Sequence, residues 1–497
     1  MINNILEYRL PKASFTKIIE ENNEITFNPK EIQEKINNHF EHIFRQRTIN
    51  QSKWSQWSSE YSPINTIDPN WYNQLLSPIT ETEIITTINN LPTNKAPGPS
   101  GITYNFIKQT SKEILPFLLN FFNQIIETGE TPEKWSYSNI YPISKKQTWT
   151  YNLNETRPIA LLDSFRKIFT KILTKRLGNI FSNNPILSPL NFAGLPNQST
   201  FEPIQILNSI YNKHKLKNEE LWILSLDISS AFDSVNLDML KKSMERLKLP
   251  NKFIEISLNI LQTRETKIIN EHGPSRKIQI KDGIDQGDSI SPLWWIIFYD
   301  PLISKLEKTT PNKNLKNALA YMDDLNLLAN SKPTLQKLTN ITTDFFELND
   351  IKANHKKTKL ITTNKKEKTI TLNNTLIIAQ HPTTPIRILG IWLSEKSILK
   401  PNRIKITEEI THITKILKRK YTTGAMATYL YNKVLLPRIE FKLQTTFFTS
   451  NMFKKIQGIK TPLLNTNSIL KELFQILGST ILKYSNTNQY LITKMKC

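Results

Sequence analysis

The sequence predicts an α+β chain, and three observations lead there. Residues 319–328 read Leu-Ala-Tyr-Met-Asp-Asp-Leu-Asn-Leu-Leu, two apolar runs flanking a tight turn, the pattern of a short β-hairpin. Leu224-Ser225-Leu226-Asp227-Ile228 is another apolar strand pattern that ends at an acid. Elsewhere apolar residues recur every three or four positions, as in Ile32, Ile36, Phe40 and Ile43 after the helix start Asn28-Pro29-Lys30-Glu31. That period marks helices with one buried face.

Composition sets bounds. The 497 residues give room for a large core in two to four subdomains. A formal net charge of +22, spread along most of the chain, points to a polyanionic partner, most commonly nucleic acid. A membrane is not expected: the strongest apolar run, Leu293 to Tyr299, falls far short of the ~20 residues a span requires. The opening Met-Ile-Asn-Asn-Ile-Leu-Glu lacks the basic-then-apolar pattern of a signal peptide. The one cysteine, Cys497, leaves no internal disulfide and no cysteine-based zinc knuckle in this sequence. The expectation is an intracellular chain, nuclear or cytoplasmic and not secreted. His39 and His42 share helical spacing but have no further ligand nearby, so a solvated helix face is expected there.

In chain order, residues 1–75 read as polar helices, with Trp54, Trp57 and Trp71 anchoring a connector to the core. Lys95-Ala96-Pro97-Gly98-Pro99-Ser100-Gly101 is a structured turn, since the chain's 12 glycines are few and clustered. A helix through Phe106, Ile114, Phe117 and Phe121 follows, then a strand over 139–143 ending at Lys145-Lys146. Arg157-Pro158-Ile159 opens a segment leading to an amphipathic helix over 164–178. After the 319–328 hairpin come a helix over 333–349, the lysines Lys352, Lys356, Lys357 and Lys359, and strand-like runs over 368–379 and 386–393. Residues 404–420 place Ile406, Ile410, Ile413 and Leu417 on one helix face, with Lys415, Lys418, Arg419 and Lys420 around it. Those cations suit either a duplex backbone or plain solvent.

The chemistry is concentrated in the acids. Asp323 and Asp324 at a hairpin tip are costly like charges unless a cation neutralises them. With Asp227 from the neighbouring strand they make three carboxylates able to hold a pair of Mg²⁺ ions, with Mn²⁺ as a substitute, the apparatus of nucleotidyl transfer. Taken alone, Asp323-Asp324 reads better as an ordinary turn, where Asp is favoured for local hydrogen bonding, and only the rest of the chain outweighs that reading.

The segments in series resemble a reverse transcriptase of the non-long-terminal-repeat retrotransposon type (long interspersed elements), over residues ~80–395. Leu226 to Asp233 is similar to the family's first catalytic strand, Gly283 to Pro292 to its Gln-Gly loop and following helix, and Tyr321 to Asp324 to its catalytic hairpin. Asn354 to Lys359 and Arg387 to Leu393 resemble the late palm motif and the primer-gripping hairpin. Lys95 to Gly101 and Asn191 to Thr200 are similar to finger motifs of that branch, and residues 20–48 to the linker preceding the polymerase.

The resemblance implies a right-hand polymerase. It would comprise a helical N-terminal extension over 1–78, fingers and an antiparallel-sheet palm over 79–395, and a helical thumb and tail over 396–497. It implies RNA-templated addition of dNTPs to a primer, through an RNA template and a DNA primer or RNA–DNA hybrid. Asp227, Asp323 and Asp324, with the Ile228 carbonyl, would hold the metals. Phe232 would be the steric gate against a 2′-hydroxyl. Gln286 and Gly287 would order the incoming nucleotide, with Arg157 and Lys145 on its triphosphate, and Gly390, Lys356 and Lys359 would meet primer and template. Ser100, Leu195, Asp285 and Tyr321-Met322 depart from the usual family residues, and Asp285 with Asp288 would add negative charge beside the nucleotide pocket. A nuclease would be supplied in trans, or the sequence is a truncated element. The alternatives are a maturase-like, inert RNA-binding chain, an RNA-templated RNA polymerase and a group II intron-type enzyme.

Overall fold

The computed structural model describes residues 13–446, apart from 21, 147, 310–315, 398, 420–425 and 427–428. A short ribbon of β1 (Ile18–Ile19) and β2 (Ile25–Thr26) leads into α1 (Pro29–Ile43). Asn28 caps α1 by accepting from the Lys30 N–H, and Pro29 takes the first turn, where a missing N–H costs nothing. Ile32, Ile36 and Phe40 are buried as their spacing predicts. His42 lies on the exposed face, but His39 is half-buried and its Nε2 has no hydrogen-bond partner among the described residues. The solvated face expected for both histidines therefore holds only for His42. After α2 (Gln51–Trp57), Trp57 is buried under the Lys305 ammonium, 3.8 Å from the ring centre, with Trp54 and Trp71 packed against the same core.

Helix α3 (Glu81–Asn89) starts at a reciprocal cap between Thr80 and Glu83. The helix expected through Phe106 to Phe121 is two helices, α4 (Tyr104–Gln109) and α5 (Ser111–Thr128). Thr110 leaves helical geometry between them, and its hydroxyl donates to the Phe106 carbonyl. The second helix buries Leu118, Phe122, Ile125 and Ile126, so Phe117 faces solvent, stacked on Phe121. The turn before α4 is pressed home: a Cβ at Gly98 would lie 2.3 Å from the Leu162 backbone.

A first sheet joins β3 (Tyr137–Ser144) to β4 (Thr156–Leu161), and past α6 (Ser164–Asn183), α7 (Phe201–Lys217), β5 (Trp222–Leu226), α8 (Leu237–Arg246) and α9 (Asn251–Leu261), to β6 (Arg264–Asn270), β7 (Gly273–Pro274) and β8 (Ile278–Ile280). Its order is β4-β3-β6-β7, with β8 also on β6 and the β3–β6 pair parallel. Helix α1 packs on this sheet, so Ile32, Ile36 and Phe40 share one core with Ile140, Ala160, Ile268 and Ile280.

After α10 (Ser291–Lys308) comes the expected hairpin, β9 (Ala318–Tyr321) and β10 (Asp324–Ala329), then α11 (Lys332–Leu348) and β11 (Lys359–Thr362). With β5 these form an all-antiparallel second sheet, ordered β11-β5-β10-β9. Alternate residues serve two cores. Leu224, Leu226, Leu325 and Leu327 join the main core with α8, α10 and α11, while Ile223, Leu319, Leu328 and Ile361 pack with α7 and Ile386, Ile388 and Leu393. The Asn191–Thr200 segment extends this sheet: Phe192 donates to the Ala320 carbonyl and Ala320 to that of Leu190.

The run over 368–379 is a hairpin of β12 (Thr369–Leu372) and β13 (Thr375–Ile378), and that over 386–393 a hairpin of β14 (Ile386–Ile388) and β15 (Ile391–Leu393). Helices α12 (Leu399–Arg419) and α13 (Leu436–Gln444) follow, with Ile406, Ile410 and Ile413 buried. The side chains of Leu417, Lys418 and Arg419, all of Lys420, and Cys497 lie outside the described residues. Among those residues no helix is long and apolar enough to cross a membrane.

Candidate active site

The site forms where β5 ends and the β9–β10 turn begins. Leu226 pairs with Leu325, so Asp227, the next residue, comes level with Asp324 at the start of β10. Met322 takes φ +55° in the two-residue turn, the left-handed conformation such hairpin turns require. The Asp227 carbonyl accepts from the Asn354 N–H at 2.8 Å, and the Ser229 N–H donates to Lys352 at 2.9 Å. These bonds flank the Ile228–Ala353 bridge, so the Ile228 carbonyl points away from that segment.

The acids feel one another. Asp323 and Asp324 both keep exposed surface at the turn, yet the protein packed around them, then the charges of Asp323 and Asp227, push the Asp324 carboxyl up to about 6. Asp323 is raised by the same packing and by Asp227, against the pull of Lys357 and Arg157. The Lys357 ammonium sits 3.5 Å from Asp227 Oδ2 and offsets part of this charge. Among the described residues no three His, Cys, Asp or Glu side chains form a ready metal cluster. The fit to divalent cations rests on the chemistry of the donors: carboxylates that the strand register brings side by side are hard oxygen ligands, and a cation relieves their mutual repulsion.

Beside the acids lies the 283–288 loop. The Phe232 ring is half-buried and stacks on Trp295, with centroids 6.0 Å apart. Ile284 donates to the Phe232 carbonyl and Gly283 to that of Val235, so the loop is zipped to the turn after β5. On its other side Ala160 of β4 donates to the Gln286 carbonyl at 2.8 Å. Gly287 is required there: a Cβ would lie 2.6 Å from the Ala160 oxygen, and its φ is +142°. Gln286 Nε2 donates to Asp233 Oδ2 at 3.0 Å. Burial pushes the Asp233 carboxyl up to about 7, against that hydrogen bond and the charges of Arg47 and Lys145.

Asp285 and Asp288, expected beside a nucleotide pocket, are turned into the protein interior. Both are buried, with Arg166 Nη2 2.5 Å from Asp285, Arg166 Nε 3.0 Å from Asp288 and Arg264 Nη1 2.9 Å from Asp285. Thr170 adds a hydrogen bond to Asp288. Burial alone would raise the Asp285 carboxyl, but the two guanidiniums hold it below the usual range. The negative charge expected beside the pocket is therefore neutralised inside the protein, where it fixes the loop.

The cations face the acids from the first sheet. Arg157 is exposed on β4, where its charge acts on Asp323, and Lys145 follows β3, where its charge acts on Asp227 and Asp233. Lys146 pairs instead with Glu155, which removes it as a rival to Lys145. Lys356 is exposed, and its carbonyl accepts from Lys359 Nζ at 2.8 Å. Gly390 turns the β14–β15 hairpin at φ +88°, and a Cβ there would sit 3.3 Å from the Phe441 ring of α13. Sequence reasoning gave no role to Lys357, Asp233 or Arg387, whose charge acts on Asp324. All three lie inside motifs that were recognised, and only tertiary contact distinguishes them from their neighbours.

A model of the reverse transcriptase (RNA-dependent DNA polymerase) family matches residues 143–393. The chain is 25% identical over 367 residues to a probable RNA-directed DNA polymerase from transposon BS of Drosophila melanogaster, covering 72% of this chain and 39% of that protein. It is 26% identical over 268 residues to a retrovirus-related Pol polyprotein from the type-1 retrotransposable element R2 of Popillia japonica, covering 53% and 36%. These matches span less than half the length of either relative. Among solved structures, apo telomerase from Candida tropicalis aligns over 75% of this chain and 68% of its own, at 16% identity and a TM-score of 0.40.

Proposed function

We propose that this chain, which belongs to the reverse transcriptase (RNA-dependent DNA polymerase) family, copies an RNA template by adding deoxynucleotides to a DNA primer 3′ end. The observation that carries the reading is the strand register that sets Asp227 beside the Asp323–Asp324 turn, within the matched segment 143–393. The likeness to transposon BS and R2 proteins supports an origin in a retrotransposon without long terminal repeats.

Asp227 and Asp323 are the residues that would hold two Mg²⁺ or Mn²⁺ ions, with Asp324 and the Ile228 carbonyl completing the donor set. When bound, such ions lower the pKa of the primer 3′-hydroxyl and stabilise charge on the leaving pyrophosphate. The chain's own residues position the reactants. Phe232, braced by Trp295, would meet a ribose 2′-hydroxyl and exclude it. Gln286 and Gly287 would seat the nucleotide, Arg157 and Lys145 would pair with its triphosphate, and Lys356, Lys359 and Gly390 would lie along primer and template. In this reading residues 1–78 are an N-terminal extension, 79–395 fingers and palm, and 396–497 thumb and tail. The compartment would be nuclear or cytoplasmic, with strand cleavage supplied by a nuclease in trans.

Primer extension on RNA and DNA templates, with deoxynucleotides and ribonucleotides supplied separately, tests the reading. The expected result is deoxynucleotide incorporation on RNA, abolished by Asp323→Asn with hybrid binding retained in a gel shift. Hybrid binding without extension by the wild type would instead identify an inert RNA-binding polymerase fold. Undiminished extension by Asp323→Asn would remove the acids from the mechanism.

A further inference from the structure

Gln286 carries its function at the end of a flexible side chain, so something must fix the amide. Its backbone is already held. The Ala160 N–H donates to its carbonyl, Asp285 before it is locked by Arg166 and Arg264, and Ile284 and Gly283 are zipped to residues 232 and 235. The side chain is held by Asp233, whose Oδ2 accepts from Gln286 Nε2 at 3.0 Å.

Asp233 is itself rigid. It is 4% exposed, one residue past Phe232 in the turn that closes after β5. Its carbonyl accepts from Arg47 Nη2 at 3.1 Å, and its Cα would lie 3.0 Å from a Cβ at Gly283, so backbone packs on backbone there. Arg47 is anchored in turn, its N–H donating to Asp282 Oδ2 at 2.6 Å while Asp282 also accepts from Leu237 N.

We propose that Asp233 is a positioning residue for nucleotide selection: its carboxylate commits the NH₂ end of the Gln286 amide and leaves Oε1 for the substrate. The role rests on the polymerase reading above. The chemistry is one of polarity. In its ionised form, which the Gln286 hydrogen bond and the charges of Arg47 and Lys145 favour against burial, the carboxylate only accepts, so the amide beside it presents its donor end. Without that acceptor the amide is able to turn over, exchanging donor and acceptor at the nucleotide, and a part-buried donor loses its partner. The half-buried Phe232 ring and the Gln286 amide would then be set by one rigid turn, one for the sugar and the other for the nucleotide's remaining polar face.

Single-nucleotide insertion kinetics on an RNA template separate this role from a structural one. Asp233→Ala is expected to raise KM for the incoming dNTP roughly tenfold, the scale of one hydrogen bond to a charged group, with kcat changed less. Asp233→Asn keeps an acceptor oxygen and is expected to recover most of that loss. In a Gln286→Ala background, Asp233→Ala should add nothing further to KM, because the amide it positions is gone. Where Asp233→Ala does not fold, as judged by circular dichroism, Asp233→Leu replaces it, being uncharged and closer in bulk. An equal KM penalty with and without Gln286, or an unchanged KM in Asp233→Ala, overturns the proposal while leaving the polymerase reading intact. A wild-type chain that extends no primer overturns both.

Discussion

Phe232 and Ala231 are neighbours in one turn, yet only the first has a ring half-buried against Trp295. A side chain braced from behind cannot yield to an added hydroxyl in front, which is what a sugar gate needs. Phe232→Val should therefore admit ribonucleotides. The measurement is the ratio of kcat/KM for deoxynucleotide over ribonucleotide, and an unchanged ratio removes Phe232 from the pocket. His39 illustrates a different residue-scale effect. Burial first, then Lys145 and His42, lower its pKa to about 4, so the folded protein holds it neutral. Unfolded His titrates near ~6.5, so the unfolded chain gains a proton first as pH falls. The stability contribution is complete above that pH and is lost on descent towards about 4. A shift of this size corresponds to a loss of at most about 3 kcal/mol. Urea titrations at neutral and acid pH should show it in the wild type and not in His39→Gln.

At the scale of elements, the 283–288 loop is decided by what encloses it. β4 lies on one side through Ala160 and the turn after β5 on the other through Phe232 and Val235; Ala160 leaves no room for a side chain at 287, and the turn leaves little at 283. Gly287→Ala places a Cβ 2.6 Å from a backbone oxygen, in a conformation that side chains rarely adopt. The expected cost is about 1–3 kcal/mol of stability with a raised nucleotide KM, read by thermal unfolding and insertion kinetics. A variant as stable and as active as wild type would show that the loop relaxes freely. Glycine placement was visible in the sequence, and so was the hairpin of β9 and β10. The break at Thr110 is not: apolar spacing runs on through Phe117, while the Thr110 backbone leaves helical geometry with its N–H and hydroxyl both bonded to the Phe106 carbonyl.

Across the whole molecule, Arg166 joins α6 to the loop through Asp285 and Asp288, and Arg264 joins β6 to the same loop. Taking one guanidinium from such a network leaves buried carboxylates without partners, which costs more than the pair itself contributes. Arg166→Met should destabilise by about 3–5 kcal/mol, measured by denaturant unfolding, and a loss below about 1 kcal/mol would show the acids are otherwise satisfied. Arg47 provides a second long-range link. It ties the segment after α1 to Asp233 and Asp282, so the N-terminal residues are built into the wall of the site.

The sequence by itself determined the local pieces: apolar alternation that makes β5 and the β9–β10 hairpin, helix starts with their caps, and acids at the ends of strands. These depend on residues within a few positions of one another, which periodicity and turn chemistry report directly. Tertiary structure alone decided which acids stand exposed at the β9–β10 turn and which are buried. Asp285 and Asp288 read like pocket charges until Arg166 and Arg264, 119 and 21 residues from Asp285, neutralise them. Asp233 likewise reads as one more acid in a motif until Gln286 closes on it. A charge takes its meaning from the partner that meets it on folding, and a linear pattern does not contain that distance.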